Sequence, residues 1–158
     1  MQQKITPFLW FDTQAEEAVA LYTRLFKDAR AGRVTRYPEG GPGPAGSVMT
    51  ATFSIEGQAF IALNGGPMVK FSPAISFVVH CDSQAEIDRL WAGLSEGGST
   101  QPCGWLTDRF GVSWQVVPRE LDQLMTDPDP ARAQRVMRAM LGMTRFDIAA
   151  LHAARDAA

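Results

Sequence analysis

Asp12-Thr13-Gln14-Ala15-Glu16 returns seventy positions later as Asp82-Ser83-Gln84-Ala85-Glu86, and its surroundings return with it. In both copies a hydroxyl stands three residues before a glutamate. That is the capping box that opens a helix, the hydroxyl accepting from an orphan amide while the carboxylate reaches back. A short apolar run precedes each copy: Ile5 to Phe11 (ITPFLWF) before the first, Ala74 to Cys81 (AISFVVHC) before the second. Behind the first, Ala15, Ala18, Val19, Tyr22 and Phe26 recur at helical spacing; behind the second, Ile87, Leu90, Trp91 and Leu94 do so, ending at Gly97-Gly98. Strands follow in both. Arg33 to Tyr37, Ser47 to Ile55 and Gln58 to Leu63 complete the first set, the last two joined by the hairpin pair Glu56-Gly57, and Ser99 to Val117 completes the second. The repeat predicts a β-α-β-β-β module used twice, at residues 5–64 and 74–118, with 65–73 (GGPMVKFSP from Gly65) as connector.

The second module closes on Cys103 to Pro118, CGWLTDRFGVSWQVVP. Thr107 to Gly111 supplies the turn, with Gly111 free to take a positive φ and Asp108 able to accept from nearby amides. From Val112 onward the side chains alternate: Val112, Trp114 and Val116 on one face, Ser113, Gln115 and Val117 on the other. If the apolar face packs on helices, Gln115 points into whatever the opposite face encloses, which makes it the first site candidate.

Beyond Pro118, Asp129 caps a helix with Pro130 at its first position. Val136, Met137, Met140 and Leu141 form its expected apolar face, Arg132, Arg135 and Arg138 look outward, and Gly142 stops it. A last helix runs from Asp147 to about Arg155, so the C-terminal helices occupy 129–156. The whole of 1–158 reads as one domain. It is 46% hydrophobic and 20% charged with a net charge of -2, the balance of a globular protein without the basic excess that nucleic acid or an anionic membrane selects. No signal-peptide pattern or membrane-length apolar run is visible, so a cytoplasmic location is expected, with Cys81 and Cys103 as thiols.

His80 and Cys81 resemble a metal or redox pair, but neighbours on a strand point to opposite faces. His80 shares the parity of Ser76 and is the candidate acid or base; its bland alternative is a structural histidine. Cys103 has no visible cation to lower its pKa. Gly41 to Gly46 (GPGPAG) matches G-x-G-x-x-G, yet a strand follows where a helix should begin and two prolines remove amides. That segment reads as a loop over the site or an inert turn. Trp10, Trp91 and Trp114 suit the core, whereas Trp105 beside Gly104 is placed to wall the site.

The segments ITPFLWFDTQAEEAVALY, RYPEGGPGPAGSVMT, FIALNGGP, AISFVVHCDSQAEIDRLW, CGWLTDRFGVSWQVVP and DPDPARAQRVMRAML together resemble the vicinal oxygen chelate superfamily of glyoxalase I and the bleomycin-resistance proteins. The nearer likeness is to its PhnB-like branch, labelled 3-demethylubiquinone-9 3-methyltransferase. The resemblance implies an α+β fold, two β-α-β-β-β modules forming a cupped mixed sheet with outer helices and a C-terminal helical extension. It also implies a homodimer. In metal-dependent relatives four strand positions bind a divalent ion, and these fall here near Pro7, Ala62, Ser76 and Gln115. Only Gln115 could ligate, so no metal and no cofactor are expected. The expected partner is an unidentified small molecule in a cleft lined by Phe60, Ala62, Asn64, Ser76, Val78, His80, Ser113 and Gln115, with Trp105 at its wall. The chain then either binds that molecule or also acts on it. A metal-dependent lyase, isomerase or dioxygenase is the alternative; the labelled methyltransferase lacks the glycine-rich turn after its first strand.

Overall fold

The computed structural model describes residues 3–157. The chain is α+β and divides after Phe71 into two compact units, within the connector.

In the first unit β1 (Phe8–Phe11) leads to α1 (Ala15–Leu25), then β2 (Ala29–Arg36), β3 (Val48–Ile55) and β4 (Gln58–Asn64). The sheet order is β1-β4-β3-β2, with β1 parallel to β4 and the other pairs antiparallel. Glu56 and Gly57 both take positive φ, 47° and 81°, the two-residue turn whose twist matches a hairpin. That turn fixes the register Ile55↔Gln58, hence Phe53↔Phe60 and Ala51↔Ala62. Period-2 alternation puts these residues on one face, where they meet Ala18, Val19 and Tyr22 of α1 in the core. Phe53 stacks on Phe60 with centroids 5.0 Å apart, and Tyr22 lies 6.0 Å from Phe53. Each such side chain contributes on the order of 1.5–3 kcal/mol by leaving water.

This register corrects the expected orientation of the first module. Phe60, Ala62 and Asn64 face α1, and the opposite face of β4 carries Ala59, Ile61 and Leu63. A one-residue slip in assumed register exchanges the faces of a whole strand. The ends of two strands also shift. Ile5, 83% exposed, precedes β1 instead of starting it, and β2 begins at Ala29, earlier than Arg33.

The second unit repeats the topology. β5 (Ser76–Cys81), α2 (Gln84–Ser95), β6 (Ser99–Thr100), β7 (Trp105–Thr107) and β8 (Ser113–Pro118) give the order β5-β8-β7-β6, again with its first and last strands parallel. Ile87, Leu90 and Leu94 of α2 are buried with Leu106, Trp114 and Val116. The two capping boxes behave differently. Ser83 Oγ accepts from Glu86 N at 3.2 Å and Glu86 Oε2 accepts from Asp82 N at 2.8 Å. Thr13 makes no such bond, and the amide of Ala15 donates instead to Asn64 Oδ1 at 2.8 Å.

A three-helix extension completes this unit: α3 (Leu121–Met125), inside a segment that reads as a polar link, then α4 (Pro130–Leu141) and α5 (Ile148–Asp156). Asp129 and Asp147 cap the latter two as their sequence predicts, accepting from Ala131 N and Ala150 N at 2.9 Å. The face of α4 differs from expectation. Val136 alone is buried, while Met137 and Leu141 are 40% and 62% exposed. Arg135 does not look outward: its guanidinium donates to the carbonyls of Ala154 and Arg155, satisfying the C-terminal end of α5. The extension is tied on by Cys103 N and Gly104 N, which donate to the carbonyls of Met143 and Thr144 at 2.8 Å.

Candidate functional site

The hairpin carrying Gln115 is organised by a buried carboxylate. Asp108, 3% exposed, accepts from Phe110 N (2.9 Å) and Val112 N (3.0 Å) through Oδ1, and from Trp114 Nε1 (2.9 Å) through Oδ2. Gly111, at φ 92°, lets the chain reverse in so short a turn. Because Oδ2 also fixes the Trp114 indole under α2, the next residue has one direction left. Gln115 faces away from α2.

On that face the strands bring together most of the sequence-predicted residues of the second module. Ser76 pairs with Ser113, Val78 with Gln115, and Trp105 with Gln115 from the other side. Gln115 Nε2 donates to Ser76 Oγ at 2.9 Å, across the parallel pair. Its Oε1 accepts no protein hydrogen bond among the described residues. Ser113 is buried, Ser76, Trp105 and Gln115 are half-buried, and Val78 and His80 are exposed. His80 lies one side-chain step beyond Val78 on this face, and its carbonyl accepts from Arg119 Nη2 at 3.3 Å. The surface is apolar with an amide acceptor, a hydroxyl and an imidazole, the mixture that fixes small ligands.

Phe60 and Asn64 lie in the first unit and have structural surroundings. Phe60 is in the core under α1. Asn64 Oδ1 accepts from Ala15 N, its Nδ2 donates to Glu16 Oε2 at 2.7 Å and Val48 O at 3.1 Å, and its carbonyl accepts from the Tyr37 hydroxyl at 2.6 Å. This side chain replaces the missing Thr13 cap. Tyr37 also anchors the glycine- and proline-rich loop, accepting from Gly46 N at 2.9 Å and donating to Ser47 O at 3.0 Å. Sequence reasoning missed a recess of about 380 Å3 on the other face of this unit, lined by Thr6, Arg30, Gly32, Thr52, Ser54 and Ile61 among others. The signal was present in β3, where Thr50, Thr52 and Ser54 alternate with Ala51, Phe53 and Ile55 and so mark which side is core.

Cys81, opposite in parity to His80, is 1% exposed, and burial pushes its thiol up from 9.0 to about 12. The folded state thus holds the neutral thiol, which costs nothing below pH 9. As pH rises from 9 towards 12 the unfolded chain ionises first and stability falls. At pH 8, therefore, a chromogenic disulfide reagent should modify Cys103 promptly and Cys81 only after denaturation, since the thiolate is the nucleophile. Two equally fast thiols would contradict this burial.

The metal-dependent members of the superfamily that the sequence resembles hold a divalent ion, and the residues at the corresponding positions do not fit one. The seventy-residue repeat aligns Ser76 with Thr6, and the strand pairings Phe8↔Ile61 and Val78↔Gln115 align Gln115 with Ile61. This moves the first two expected positions from Pro7 and Ala62 by one residue each. The first unit thus offers a hydroxyl and an isoleucine and the second a hydroxyl and an amide, neither with the imidazole, thiolate or carboxylate such ions need. No group of three His, Cys, Asp or Glu suited to a metal occurs among the described residues.

Residues 3–117 match the family described as 3-demethylubiquinone-9 3-methyltransferase. Among solved structures, a PhnB protein from Bacillus cereus carrying the same methyltransferase label is 38% identical, with a TM-score of 0.68 over 73% of this chain and 99% of that one. The protein PA1353 from Pseudomonas aeruginosa is 28% identical, with a TM-score of 0.60 over 73% and 96%. No curated protein matches the sequence. The label implies S-adenosylmethionine, which the first unit does not fit as a doubly wound methyltransferase would. Its sheet is mixed, and the turn after β1 is Asp12-Thr13-Gln14, with the N-terminal amide of α1 already taken by Asn64. Two β-α-β-β-β units of identical strand order, a sequence match across 3–117 and a close PhnB relative thus place this chain in the 3-demethylubiquinone-9 3-methyltransferase-labelled, PhnB-like family.

Proposed function

We propose that this protein binds a small molecule, without a metal ion, on the face of the second unit's sheet that α2 leaves open. The observation that carries the reading is the Gln115 amide. Its bond to Ser76 fixes the side chain, and its oxygen accepts no bond from a described residue, with Val78 and Trp105 as its neighbours across the strands. A preoriented acceptor beside apolar side chains selects a ligand N–H or O–H, and a ligand that covers it excludes water and strengthens that bond. If the bound molecule reacts, His80 is the candidate acid or base on this face. A cytoplasmic homodimer belongs to the same proposal; sedimentation at twice the chain mass would support the dimer. No helix among the described residues is long and apolar enough to cross a membrane.

Native mass spectrometry of protein taken from its own cells tests the reading. A retained small-molecule mass is expected in the wild type and absent in Gln115→Ala. The melting temperature should fall by only about 2–4 °C, the effect of one half-buried hydrogen bond. Unchanged retention in the variant, or a stoichiometric divalent ion that survives dialysis, would overturn it.

A further inference from the structure

We propose that a recess built by the C-terminal extension against the end of the second unit's sheet binds a small primary ammonium ion with a short hydrocarbon body. It goes beyond the reading of the Gln115 face. The opening, about 370 Å3, is lined by Cys81, Asp82, Arg119, Glu120, Gln123 and Ile148, and by none of Ser76, Val78, Trp105 and Gln115. Four of its six lining residues stand beyond residue 117, where the family match ends. The recess forms where β5 and β8 finish side by side, Cys81 opposite Pro118, with Arg119 N donating to the Cys81 carbonyl at 2.8 Å. The chain then turns into α3, which sets Glu120 and Gln123 about one helical turn apart. Ile148, the first residue of α5, completes the wall.

The charges of the lining decide what it takes. Its one cation is committed: Arg119 Nε is paired with Asp82 Oδ1, and Nη2 donates to the His80 carbonyl. Arg155, which also acts on Glu120, is held by Asp156 through two bonds of 2.8 Å. Glu120 is only half used. His152 Nε2 donates to its Oε1 at 3.0 Å and so fixes the carboxylate, while Oε2 accepts nothing from a described residue. The amide of Gln123 makes no hydrogen bond among the described residues, so its oxygen is open as well. Two carboxylates against one guanidinium repel an anion, and the amides of Ile148 and Ala150 at the start of α5 are already given to Gln84 and Asp147. A divalent metal wants several converging carboxylate or carbonyl oxygens, and only one carboxylate here is uncommitted. A quaternary ammonium wants an aromatic cage, and the lining holds no aromatic ring. A primary ammonium fits: its N–H donors meet the Glu120 and Gln123 oxygens, and Cys81 and Ile148 receive its alkyl chain.

Isotope-labelled protein titrated with n-butylammonium, n-butanol, butyrate, choline and magnesium chloride, followed by amide NMR, tests this. n-Butylammonium should shift the amides of Glu120, Gln123 and Ile148 at millimolar concentration, with the other four at least about tenfold weaker. Glu120→Gln should weaken n-butylammonium about tenfold or more, yet melt within about 4 °C of the wild type, since the amide oxygen still accepts from His152. Arg119→Gln should bind n-butylammonium at least as well as the wild type, because it removes the only cation of the lining. No shift at these amides, an equal response to n-butanol, a preference for butyrate, choline or magnesium, weaker binding in Arg119→Gln, or indifference to Glu120→Gln would each overturn the site. Gln115→Ala should leave these shifts unchanged, so this site and the Gln115 reading can fail separately.

Discussion

Asp108→Ala is expected to cost about 3–5 kcal/mol of unfolding free energy in a urea titration, several times what a surface substitution costs. The carboxylate is buried and accepts from two backbone amides and the Trp114 indole. Removing it leaves three donors facing a site that water reaches poorly, each costing about 1–3 kcal/mol if unmet, with partial relief as the turn relaxes. Asp108→Asn should lose less, about 2 kcal/mol, because its single carbonyl oxygen can serve one side of the turn while its amide opposes the other donors. Ligand retention at Gln115 should fall with stability in the alanine variant, since the same carboxylate sets the direction of β8. A loss below about 1 kcal/mol in Asp108→Ala would show that the turn holds by backbone bonds alone.

Gly104→Ala should be nearly as damaging, about 3 kcal/mol or more. Gly104 sits at φ 78°, where a side chain costs about 1–2 kcal/mol by itself. A Cβ there would also stand 2.6 Å from a ring carbon of Phe146 and 2.6 Å from the Val116 carbonyl oxygen. Phe146 is 1% exposed and anchors the segment between α4 and α5, so pushing it out should loosen the extension. Hydrogen exchange should then quicken in α4 and α5 before it does in α2. Gly97→Ala is the control. Its φ is similar at 73°, but the nearest contact is Arg109 Cβ at 3.3 Å, so only the backbone cost of about 1–2 kcal/mol remains. Equal losses in the two variants would mean that Phe146 yields without consequence.

The parts of the fold legible in the sequence were those set by neighbours along the chain. The Glu56-Gly57 turn, the Ser83 to Glu86 box and the Asp129-Pro130 helix start all formed as read, since a turn or cap spans a few residues and carries its own chemistry. The repeat added long-range information, because two copies of one module need the same strand order, and both sheets have it. On the candidate site, alternation along β8 put Gln115 on the face away from α2, and the resemblance supplied Ser76 as its neighbour. In the first unit alternation along β4 alone does not fix the faces. Phe60 and Asn64 were read one register away from where β3 places them, although the polar alternation Thr50, Thr52, Ser54 already marked the outer face.

By itself, then, the sequence determined the α+β class, the order of the elements, the duplication and the turns, because these follow from backbone preferences and periodicities repeated over short stretches. Only the tertiary structure decided the rest. Asn64 caps α1 from 49 residues away, Arg135 closes α5, and the bulge opposite Thr52 shapes a recess beside Arg30. Each of those depends on which distant residue arrives beside which. No local pattern encodes that pairing, since a polar side chain bonds whatever partner the packing of the core brings within reach.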